Sequence, residues 1–185
     1  MARFYDRLNP ELIAFIGAQK IFFTASATAT GRINLSPKGT DSLRVLHPSA
    51  VAYADLTGSG AETVAHAHHD GRLTLMFMSL EGPPLILRLY GRATAVPPNT
   101  PKGRELAQQL PRQPAVRQLI QLDIESVQTS CGYAVPLFTY AGERETYARW
   151  VEKKGAEGIS AYWHERNAQS VDGLPVGLFP DDPKT

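Results

Sequence analysis

The 185-residue chain is 43% hydrophobic and 20% charged, with one cysteine, a size at which a single domain removes roughly 70% of the unfolded chain's surface from water. Nineteen Lys and Arg against 18 Asp and Glu leave a formal charge of +1, which excludes the global basic field that draws a protein to nucleic acid. Lone Cys131 excludes an internal disulfide and a multi-cysteine metal cage, residues 1–4 lack the apolar run of a signal peptide, and no stretch approaches the ~20 apolar residues of a membrane-spanning helix; the expectation is a soluble, cytoplasmic protein.

Asn9 and Pro10 form a helix start, and Leu12, Ile13 and Ile16 follow at helical spacing. Residues 21–27 and 33–36 read as a hairpin across a glycine turn, and 43–46 and 51–56 as a second strand pair split by His47 and Pro48. The Gly and Ser loop 57–60 feeds a short helix over 61–69, which Asp70 and Gly71 end. Residues 72–79 and 85–96 are the two longest strand candidates. In the second, Leu85, Leu87 and Leu89 share one face, while Arg88, Tyr90 and Arg92 share the other.

A helix is expected over 101–110, a shorter helical stretch around Val116, and a last strand over 122–127. Helices over 143–153 and 159–167 then lead into a tail rich in Pro and Gly. About six strands with short turns and one inserted helix predict a mainly β fold with flanking helices, an antiparallel barrel. The whole chain, 1–185, reads as one such domain with a helical extension from about 143.

The run Asn34-Leu35-Ser36-Pro37-Lys38-Gly39 places a cation, a hydroxyl and turn N–H groups at a strand end, the set that holds a phosphate monoester. Taken alone, it reads more readily as an ordinary turn with a solvated lysine. Thr57-Gly58-Ser59-Gly60-Ala61-Glu62-Thr63 brings hydroxyls and a helix N-terminus, a second anion signal. A simple cap at Ser59 or Gly60 explains it equally well. Both segments fall at one rim of a meander barrel.

Arg88 and Arg92 flank Tyr90 on one strand side, suited to an anionic ligand or to a solvated sheet surface. His66 and His69 have metal-compatible helical spacing without an acidic or cysteine partner, so no metal site is expected. Cys131 reads as a buried structural thiol. There is no dinucleotide fingerprint, P-loop or nucleophile elbow.

The succession INLSPKG from Ile33, VAYADLTGSGAET from Val51, LTLMF from Leu73 and ILRLYGRATAV from Ile86 resembles the flavin mononucleotide (FMN) binding split-barrel superfamily. More narrowly it is similar to the pyridoxamine 5'-phosphate oxidase-related proteins, as are SCGYAVP from Ser130 and NAQSVDGLP from Asn167. The resemblance implies a six-stranded antiparallel split β-barrel that dimerises, with two FMN sites across the homodimer interface. It places Ser36, Lys38 and Gly39 at the strand-end phosphate ligands and Ser59 and Thr63 in the rest of the phosphate cradle. Tyr53 and Asp55 fall on the strand beside the ring system, Arg88 on a strand lining the site from the partner subunit, and Gly132, with Cys131, near the cofactor.

Residues 33–36 contain no Arg, and residues 180–185 contain nothing like the Arg and His segment that grips a vitamin B6 phosphate. The resemblance therefore implies an FMN-dependent oxidoreductase of a different small substrate, with no catalytic acid or base singled out. The alternative is a carrier or sensor that binds flavin, a deazaflavin or haem without turnover. A barrel with an empty site is the third reading.

Overall fold

The computed structural model describes residues 2–39 and 41–179. Helix α1 (Pro10–Ala18) starts where the sequence marks it: Asn9 Oδ1 accepts from Leu12 N–H at 2.9 Å, Pro10 fills the first position, and Leu12 and Ile16 are buried. The strands are β1 (Arg3–Tyr5), β2 (Phe22–Ser26), β3 (Asn34–Lys38), β4 (Leu43–His47), β5 (Ala50–Leu56), β6 (Arg72–Met78), β7 (Ile86–Val96) and β8 (Val116–Ser130). All pair antiparallel in the order β3-β2-β6-β7-β8-β5-β4, with β1 added on β8. Among the described residues eight strands thus stand where about six were expected; three-residue β1 is too short to carry a pattern.

The sheet curls on itself. Strands β2 and β5 are separated by three others in the order, yet the Phe22 and Tyr53 rings meet edge to face at 5.5 Å. Phe77 of β6 stacks on Phe22 at 5.6 Å, and these rings join Leu75, Leu87, Leu89, Ile120 and Leu122 in one core. Each such side chain contributes about 1.5–3 kcal/mol when fully buried. The order ends at β3 and β4, which do not pair with each other, so the barrel is open along that seam.

Strand β8 corrects two expectations. Val116 lies in a strand, not a helix, and the strand reaches back to it from the expected 122–127. Leu119 packs under helix α3 (Pro101–Gln109) while Ile120 enters the main core. With both faces covered, the alternation that marks a half-buried strand is lost.

Helix α2 (Glu62–His69) sits between β5 and β6. Helix α4 (Thr146–Arg166) merges the two expected C-terminal helices across a kink at Gly155, whose φ of 66° only glycine adopts readily. Among the described residues no helix is long and apolar enough to cross a membrane. The tail residues 180–185 lie outside the described residues.

Candidate functional site

Alternation along β3 places Asn34, Ser36 and Lys38 on one half-buried face and leaves Leu35 and Pro37 exposed. Barrel closure brings that face against the end of β5, where Asp55 has 2% of its side chain exposed and Lys38 Nζ lies 3.5 Å from its Oδ1. Loop 57–60 and the first turn of α2 complete a pocket of about 230 Å³ around Lys38, Ser36, Ser59 and Thr63.

The N-cap of α2 is Ala61, with no side-chain cap, rather than Ser59 or Gly60. The first N–H groups of the helix therefore receive no bond from an N-cap side chain, and with the dipole they suit an anion. Glu62, the acidic residue of that turn, accepts from Val171 N–H at 3.1 Å.

Arg117 enters the same pocket without any forewarning in the sequence. The β5–β8 register shifts between Asp55 and Leu56, a bulge that skips Arg117 and turns it onto the Asp55 side. Its Nε and Nη2 donate to Asp55 Oδ2 at 3.0 and 2.8 Å, and Nη2 and Nη1 donate to the carbonyls of Gly60 and Gly58 at 2.8 and 3.4 Å. Below the pocket, Asn34 Nδ2 donates to Thr63 Oγ1 at 3.0 Å, and Ser26 Oγ lies 3.0 Å from His66 Nδ1. His66 is buried in this network, and its Nε2 has no partner. No group of three His, Cys, Asp or Glu among the described residues could hold a metal ion.

The C-terminal region braces the site. Trp163 Nε1 donates to Thr57 Oγ1 at 2.8 Å, Asn167 Nδ2 to Gly58 O at 2.9 Å, and Arg32 N to Asp172 Oδ2 at 2.7 Å. These contacts cross more than 100 positions of sequence, so no local pattern announces them.

Gly39, Tyr53, Arg88, Cys131 and Gly132 lie outside this pocket. Gly39 lines an adjoining cavity of about 720 Å³ that shares Lys38 with the pocket and is walled by Ile21, Leu80, Phe138, Tyr140 and Tyr147. Arg88 donates to Ser130 Oγ at 3.3 Å on the β7–β8 pair, and Gly132 packs against Leu85 after β8. Cys131 beside it is exposed, not buried; the Tyr133 N–H directed at its sulfur lowers the thiol's pKa.

Tyr53 is wholly buried in the core, its hydroxyl beside those of Thr63 and Thr24 but outside hydrogen-bond geometry with any described residue, and burial pushes its pKa well up. An unsatisfied buried hydroxyl costs about 1–3 kcal/mol. Tyr53→Phe is expected to raise Tm by about 2–4 °C per kcal/mol recovered; a lowered Tm in thermal melts would show that the hydroxyl is held in the folded protein.

Comparison with known proteins adds a family-level observation. Residues 8–131 match the family described as pyridoxamine 5'-phosphate oxidase. The pyridoxamine 5'-phosphate oxidase family protein ustO of Aspergillus flavus is 36% identical over 195 residues, covering 95% of this chain and 78% of that protein. Among solved structures, HupZ of Group A Streptococcus superposes with a TM-score of 0.52 at 20% identity, over 65% of this chain and 91% of its own. A Lactobacillus delbrueckii structure gives 0.52 at 19% identity, over 66% and 94%. Both share the fold.

Proposed function

The chain belongs to the pyridoxamine 5'-phosphate oxidase family, and from that premise we propose that it is an FMN-binding oxidoreductase acting on a small organic substrate. One observation carries the reading: Lys38 and Ser36 from a strand end converge on one pocket with Ser59, Thr63 and the uncapped start of α2, which belong to a separate loop–helix junction. A flavin phosphate is a near-dianion that needs a cation, hydroxyl donors and free N–H groups, and the pocket offers all three. The adjoining cavity has the size and aromatic lining that suit a planar ring system.

In this reading Lys38 neutralises phosphate charge, Ser36, Ser59 and Thr63 orient it, and α2 adds its N-terminal dipole. The wall of Phe138, Tyr140 and Tyr147 shields the ring end from water. Bound flavin supplies hydride chemistry that no side chain of the protein can. The protein acts as a homodimer, in which the partner's Arg88 lines the site and Gly132 approaches the cofactor. Tyr133, Leu137 and Phe138 support this assembly: they are 82%, 76% and 59% exposed on one short segment, an apolar surface that association would cover.

Anaerobic titration of the FMN-loaded protein with a reduced nicotinamide tests turnover. Bleaching of the flavin absorption is expected. A flavin that binds but accepts no electrons from either nicotinamide would overturn the oxidoreductase reading in favour of a carrier. Light scattering checks the dimer, and a monomer mass at working concentration would contradict it.

A further inference from the structure

We infer that Arg117 is a positioning residue that occupies Asp55 and thereby keeps Lys38 available to the ligand phosphate; the inference rests on reading the pocket as a phosphate site. Asp55 and Arg117 each have 2% of their side chain exposed, so neither charge is relieved by water. Both short contacts to Asp55, at 3.0 and 2.8 Å, come from Arg117 and fall on Oδ2. Lys38 stands 3.5 Å from Oδ1 with 21% of its side chain exposed. That separation is longer than the 2.7–2.9 Å or so of a committed charge-assisted bond. Asp55 is thus held at short range by Arg117, and Lys38, partly exposed in the pocket lining, keeps only a long contact with it.

Remove the guanidinium and the balance changes. A carboxylate that is nearly wholly buried requires a counter-ion, and among the described residues the one other cation lining the pocket is Lys38. Lys38 would close onto Asp55, and among the described residues no cation lining the pocket would remain free to meet a phosphate. Arg117 also donates to the carbonyls of Gly58 and Gly60. Asn167 Nδ2 independently holds Gly58 O at 2.9 Å, and Trp163 holds Thr57, so the loop keeps its anchor when Arg117 is changed.

The test compares FMN with riboflavin, which has the ring but no phosphate, by quenching of flavin fluorescence on the full chain. Arg117→Met is expected to weaken FMN at least tenfold and riboflavin less than twofold. Arg117→Met combined with Asp55→Asn, which removes the carboxylate that captures Lys38, is expected to bring FMN affinity back to within about threefold of wild type. The inference is overturned if the double variant binds FMN no better than Arg117→Met, or if riboflavin binding falls in parallel.

Should Arg117→Met not fold, Asp55→Asn and the double variant are compared instead. Equal FMN affinities support the assignment, and a tenfold deficit in the double variant overturns it by making Arg117 a direct ligand. A wild-type protein that binds FMN and riboflavin equally defeats the phosphate site itself. A wild type that discriminates, with variants that do not follow the pattern, defeats the role of Arg117 alone.

Discussion

Lys38→Ala is expected to weaken FMN binding by about ten- to a hundredfold while leaving riboflavin binding within a factor of two. Among the described residues the lysine is the one pocket cation not committed at short range: Arg117 is held by Asp55 and two carbonyls, whereas Lys38 lies 3.5 Å from Asp55. A hydrogen bond to a charged group contributes about 1.5–3 kcal/mol net, and about 1.4 kcal/mol is a tenfold change in Kd. The fold should not suffer, because Asp55 keeps Arg117 as its partner. Fluorescence titration with both ligands checks the result; parallel losses for FMN and riboflavin would place Lys38 at the ring end instead.

Gly91→Ala should destabilise the protein by about 3 kcal/mol, the upper part of the overpacking range, and lower Tm by roughly 6–12 °C. Gly91 faces the bulge at which the β7–β8 pairing skips Glu125, and a Cβ there would lie 1.9 Å from the Asp123 carbonyl oxygen. The neighbour is backbone, so no side chain can swing aside. The two longest strands would have to separate where they form the middle of the sheet. An unchanged melting temperature would mean that this register is not the one the protein adopts.

Much of this architecture is legible in the chain because its signals are local. Asn9 and Pro10 announce α1, the alternation of Leu85, Leu87 and Leu89 announces β7, and Asp70 with Gly71 closes α2. Lys38 and Thr63 stand out for the same reason: each sits in a short run whose composition already suggests anion binding. What escaped depends on contacts distant in sequence. Arg117 looks like one more charged residue in the first part of β8, which shows no alternation, and only the bulge against Asp55 turns it into the pocket. Tyr53 shares the strand that reaches the pocket through Asp55, yet it points into the core. Periodicity gives its face but not what lies beneath that face. Arg88 and Tyr90 form a row legible from alternation, but their bonds to Ser130 and Gln128 on the neighbouring strand depend on the β7–β8 register, which no local pattern announces.

The central claim is that the pocket beneath loop 57–60 takes a phosphate, and the most direct measurement is the ratio of wild-type affinities for FMN and riboflavin at neutral pH. The two ligands share their ring and differ at the phosphate. Two charge-assisted contacts at about 1.5–3 kcal/mol each predict that FMN binds at least a hundredfold tighter, with the advantage shrinking below about pH 6 as the phosphate takes up a proton. Equal affinities, insensitive to pH, would contradict the account.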